Sequence, residues 1–127
     1  MLLVPYLSKT INELEEKLEF LKGEMSKALE YSHNDPKTTI YKARVILEKI
    51  LKNVYRYEIG NEPNSNITVG PLIKALSDKI ETHVKHDMTY IQMMGNFGSH
   101  DQQEHDETLS ESQALNVLAM LCNIINW

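Results

Sequence analysis

Apolar residues recur in the first thirty positions at Leu7, Ile11, Leu14, Leu18, Leu21, Met25 and Ala28, in alternating steps of four and three. Steps of that size return side chains to one face of an α-helix, and their strict alternation makes a narrow a/d seam. Glu13, Glu15, Glu16, Lys17, Glu19 and Lys22 cover much of the remaining surface. The pattern predicts one helix ending at His33-Asn34-Asp35-Pro36, entered through a capping box at Thr10–Glu13 or nearer Pro5. Three heptads are short for a coiled coil, so packing within the same domain is expected ahead of a dimer seam.

A second helix is predicted from Pro36 to about Glu58. Asp35 or Asn34 caps it, and Pro36 suits its first position, where a missing N–H costs nothing. Ile40, Ala43, Leu47, Ile50, Leu51 and Val54 form its apolar face. Gly60 to Asn66 carries turn chemistry and reads as a loop. A third helix starts between Thr68 and Pro71, with Leu72, Ile73, Leu76 and Ile80 inward. A fourth contains Met88, Ile91 and Met94 and reaches Gly95-Asn96-Phe97-Gly98-Ser99-His100. Each glycine costs a helix about 1 kcal/mol relative to alanine, so this stretch is a helix end or a deliberately thin surface. Residues 101–108 read as an acidic loop. Ser110–Gln113 is a second capping box, with Leu109 placed to staple against Ala114. Ala114, Leu115, Leu118, Leu121, Cys122 and Ile125 line the last helix. The expected fold is all-α, a bundle of about five helices. Residues 1–33 form an N-terminal heptad-patterned helix packing on the bundle or a partner, and residues 34–127 form the main helical domain. Trp127 closes the sequence on a running helix, which reads as one module of a longer protein.

Charge sharpens this picture. The 127 residues carry 13 Lys+Arg and 18 Asp+Glu, a net −5, but no basic residue follows Lys85. The segment from Lys37 to Arg56 in the second helix carries Lys37, Lys42, Arg44, Lys49, Lys52 and Arg56 against Glu48 alone. That helix could meet phosphate, with Tyr41, Tyr55 and Tyr57 as stacking surfaces, or the acidic tail of its own or another chain. A lone cysteine, Cys122, excludes a disulfide framework and a cysteine-based zinc site. No apolar run reaches the roughly 20 residues of a membrane span, and the N-terminus lacks the pattern of a signal peptide, so a cytoplasmic protein is expected. His83, His86, His100 and His105 form no i, i+4 pair on a helix, and no metal or cofactor is expected.

Two constellations stand out. In Ala43-Arg44-Val45-Ile46-Leu47-Glu48, Arg44 and Glu48 share a helix face and can pair, although this order is the weaker one in an isolated helix. In Gly95-Asn96-Phe97-Gly98-Ser99-His100, Asn96 and His100 stack one turn apart if the segment is helical. Together with the final apolar helix, these segments resemble the HEPN superfamily, in its bacterial branch attached to restriction, defence and signalling proteins. The resemblance covers about residues 36–127.

That resemblance implies a helical bundle that often dimerises through the helices bearing the motif. Its ribonucleases use an arginine and a histidine without metal, the histidine moving the 2′-hydroxyl proton while the arginine stabilises phosphate charge. Here Gly95 precedes Asn96, and Gln92 occupies the upstream position where related domains carry arginine. The missing arginine makes a non-catalytic interaction or dimerisation module the expectation. The alternatives are a metal-independent ribonuclease using His100, Asn96 and Arg44, and a sensor of nucleotides or other anions. RNA or nucleotide binding is possible in these two readings, a homodimer is expected in the first, and no membrane partner is expected in any. Arg44, Glu48, Asn96 and His100 are the candidate site, expected as a structural lock between the second and fourth helices.

Overall fold

A computed structural model describes residues 3–64, 66–99 and 109–125. It contains six α-helices, α1 (Leu3–Lys17), α2 (Glu24–Glu30), α3 (Pro36–Ile59), α4 (Val69–Ala75), α5 (Thr82–Ser99) and α6 (Glu111–Ile125), with short 3-10 turns at Glu19–Leu21 and Ser77–Lys79. The fold is all-α, and no strand occurs among the described residues. No helix of this set is long and apolar enough to cross a membrane.

The long α3 is the central element. It packs against α2, α4, α5 and α6, most extensively against α5. Its start follows from local chemistry, because the Asp35 side chain accepts from the Thr38 backbone N–H and Pro36 sits in the first turn. Gly60 ends it at φ 85°, a left-handed conformation that glycine adopts without a Cβ penalty. Ile40, Ala43, Ile46, Leu47, Ile50 and Leu51 are buried along it. Buried Thr39 donates from Oγ1 to the Ala28 carbonyl at 2.6 Å, which ties the start of α3 to the end of α2. The final helix begins at the expected capping box. Gln113 N–H donates to Ser110 Oγ at 3.1 Å and Ser110 N–H donates back to Gln113 Oε1 at 2.8 Å. Leu109 and Ala114 on either side are both buried.

The N-terminal stripe departs from expectation. It is two helices rather than one, and α1 is already helical at Leu3, so Thr10–Glu13 lies inside a helix and is not its start. Residues 18–23 turn the chain, and Gly23 adopts φ 80°. The Glu15 carboxylate then serves the start of α2, accepting from Met25 N at 3.1 Å and Ser26 N at 3.2 Å through Oε2, and from Ser26 Oγ through Oε1. These bonds satisfy donors that a helix start leaves unpaired. The apolar seam survives the turn, with Leu7, Ile11, Leu14, Leu21, Met25 and Ala28 all buried in the common core. Side chains of this size contribute about 1.5–3 kcal/mol each when fully buried. α1 lies against α6 and α2, so the seam is filled from within the chain.

Candidate functional site

The crossing of α3 and α5 is built from Arg44 and Gly95. Arg44 follows Ala43, a fully buried position, and so stands at the margin of the inward face of α3. Gly95 follows buried Met94 and is itself buried. A Cβ on Gly95 would lie 2.5 Å from Arg44 Cβ, 2.7 Å from Cδ and 3.0 Å from Cγ. The aliphatic stem of Arg44 therefore occupies the notch that a missing side chain leaves in α5. Long cationic side chains commonly pack their methylenes this way while the head reaches outward. The helix continues through Gly95 to Ser99, so the glycine thins a surface and does not end a helix.

The guanidinium of Arg44 lies over the ring of Tyr41, one turn back on α3, with Cζ 5.4 Å from the centroid. This is cation–π geometry. Its Nε is buried and has no hydrogen-bond partner. An unmet donor of that kind costs on the order of 1–3 kcal/mol, which the stem contact and the ring contact offset.

Glu48 pairs with Lys52, whose Nζ donates to Oε2 at 3.3 Å, and not with Arg44. Glutamate one turn before lysine is the favourable order on a helix, whereas Arg44 before Glu48 is the reverse. Asn96 sits at an exposed position of α5 directly after Gly95. His100 lies outside the described residues, as do the acidic segment 101–108 and Trp127. Gln92 is half-buried and faces α4, its Nε2 lying 3.1 Å from where a Cβ on Gly70 would be. The Gln92 amide is thus fitted against a second glycine.

Three of the six basic residues of α3 are paired with nearby acids. Lys49 pairs with Glu24 of α2, Lys52 with Glu48, and Arg56 Nε with both carboxylate oxygens of Glu62 at 2.8 and 3.0 Å. Lys42 Nζ lies 5.7 Å above the Tyr31 ring. The acids that meet this helix among the described residues come from positions 24, 48 and 62, not from the arginine-free C-terminal third. A cavity of about 740 Å³ lies between α2 and α3, but Lys22, Lys27 and Lys42 share its wall with Glu24 and Glu30. Interleaved charges of both signs do not make a focused phosphate site.

No group of three His, Cys, Asp or Glu side chains converges among the described residues to hold a metal ion. Burial pushes the Cys122 thiol from 9.0 up to about 11, which suppresses the nucleophilic thiolate. Residues that the sequence left unmarked prove structurally decisive: Glu15 as the cap of α2, Gly23 at the turn, and Gly70 opposite Gln92.

Comparison with known proteins places the chain at family level. A family model described as a domain of unknown function, DUF4145, matches residues 26–127, from α2 through the end of the sequence. No curated protein matches the chain, and no solved structure does. The matched span contains both Arg44 and Gly95 and leaves α1 outside. The chain belongs to the DUF4145 family.

Proposed function

We propose that this chain is a non-catalytic, HEPN-like interaction and dimerisation module serving a larger bacterial defence or signalling protein. The observation that carries the reading is the outer face of α5. Thr82, His86, Thr89, Met93 and Asn96 follow one another at helical spacing and are all exposed, with no Lys, Arg, Asp or Glu among them. Met93 is 47 % exposed. A two-fold contact brings identical residues together near its axis, where like charges would repel, so a neutral stripe suits self-pairing. The use of Arg44 supports the non-catalytic part. Its stem fills the Gly95 notch and its head stacks on Tyr41, which leaves Gln92 at the motif position without a charge to offer a phosphate.

Sedimentation at high micromolar concentration tests this reading. The parent chain is expected to dimerise and Met93→Glu to be monomeric with an unchanged circular dichroism spectrum. A monomeric parent overturns the dimer. Cleavage of single-stranded RNA in EDTA by the parent, lost in His100→Ala, would establish the ribonuclease instead. A thermal shift with nucleotides that depends on Arg44 would favour the sensor.

A further inference from the structure

The apolar pattern of residues 3–30 fits a second backbone path besides the observed one. In the observed one, residues 18–23 bend the chain and return α1 to α6. Yet the apolar stripe runs through the bend without a slip, Leu14, Leu18, Leu21 and Met25 keeping steps of four, three and four. A bend designed into the sequence alone would need no such register. The same stripe would form one continuous seam if residues 3–30 were a single helix, about 42 Å long at 1.5 Å per residue.

The polar ledger of that straight form also closes. Glu15 would release Met25 N–H and Ser26 N–H, but a continuous helix supplies the carbonyls of Leu21 and Lys22 to them. Gly23 is the one residue of the bend in a left-handed conformation, and it is the one poor helix former from Leu18 to Gly23. What a lone chain loses on straightening is apolar burial. Leu7, Ile11 and Leu14, now 0 %, 1 % and 7 % exposed, would leave α6 together with the face they cover. A second chain doing the same restores the packing of α1 on α6 and α2, which is the condition for exchange of an identical element.

We infer that the surface of α6 and α2 covered by α1 is an exchange interface, and that its partner is α1 of a second copy of this chain, delivered when residues 18–23 straighten into helix. This interface is separate from the α5 stripe and does not depend on it. α1 lies wholly outside the residues that the family model matches.

Substitution at Gly23 isolates the effect. A Cβ there would meet nothing within 4 Å, so Gly23→Ala acts through the backbone alone. Alanine disfavours the left-handed bend and favours continuous helix, in both chains of a dimer. In a Met93→Glu background, which removes the α5 contact, sedimentation should show Gly23→Ala lowering the dimer dissociation constant by about a hundredfold or more. Ellipticity at 222 nm should rise with dimer formation as the bend becomes helical. Gly23→Asn, which tolerates the left-handed conformation, should leave the Met93→Glu protein unchanged. A Gly23→Ala protein that stays monomeric at high micromolar concentration overturns the inference. So does equal dimerisation of the alanine and asparagine variants. Persistence of dimer in Met93→Glu alone would instead count against the α5 reading.

Discussion

Two regions of this molecule are each organised around a glycine, for opposite physical reasons. At the α3–α5 crossing, Gly95 is helical and crowded, and what matters is the space its absent side chain gives to the Arg44 stem. At the α1–α2 turn, Gly23 has nothing within 4 Å of a would-be Cβ, and what matters is its φ of 80°. The first region is a tight contact with one solution. The second is a choice between backbone paths that bury the same stripe. Alanine is therefore a different perturbation at each site, a steric wedge at one and a conformational vote at the other.

The largest expected effect is at the crossing. Gly95→Ala forces α5 away from α3, because the clash at 2.5 Å is with the Arg44 Cβ and no rotamer change relieves it. Overpacking of this kind should cost about 3 kcal/mol, more than the roughly 1 kcal/mol of helix propensity gained, and lower the Tm by about 10 °C. A stabilised Gly95→Ala protein would break the comparison at its first term.

Cys122 on α6 reports whether that helix stays closed over both regions. Its thiol is held protonated by burial, with a value of about 11 against 9.0. A raised value means the native state keeps its proton while the unfolded chain loses it. The stabilisation is complete below pH 9 and is lost as pH rises from 9 to 11, by about 2–3 kcal/mol. Denaturant titrations across that range should show the loss in the parent and a flatter dependence in Cys122→Ala. Thiol labelling at neutral pH should accelerate in any variant that opens α6.

Smaller and more local is the effect of Glu15→Ala. It removes the acceptor for Met25 N–H and Ser26 N–H and should cost about 1–2 kcal/mol. Amide exchange should quicken in residues 3–30 and remain unchanged around the α3–α5 crossing. Uniform acceleration would show that the two regions open as one.

Legibility in the sequence followed the range of the forces involved. The Asp35–Pro36 start of α3 and the Ser110–Gln113 start of α6 were visible because a cap is decided within four residues. The N-terminal bend was not, because the 4-3 periodicity of Leu7 to Ala28 persists through it and one glycine was a weak counter-signal. Gly95 could be read as a thin place in a helix. That Arg44 fills it depends on the tertiary register of α3 against α5, which no local pattern encodes. The expected Arg44–Glu48 pair gave way to Glu48–Lys52, which the same helix rule prefers. The inward turn of Gln92 toward Gly70 required the placement of α4 and had no local signature.

The central claim is that Arg44 serves the fold through its methylenes and not a ligand through its charge. Paired thermal unfolding of Arg44→Met and Arg44→Ala tests this directly, since methionine keeps an unbranched stem and discards the guanidinium with its unmet Nε. The account predicts that Arg44→Met stays within about 1 kcal/mol of the parent while Arg44→Ala loses about 1–2 kcal/mol. Equal destabilisation by both variants would contradict it, because the charged head would then be the part that matters.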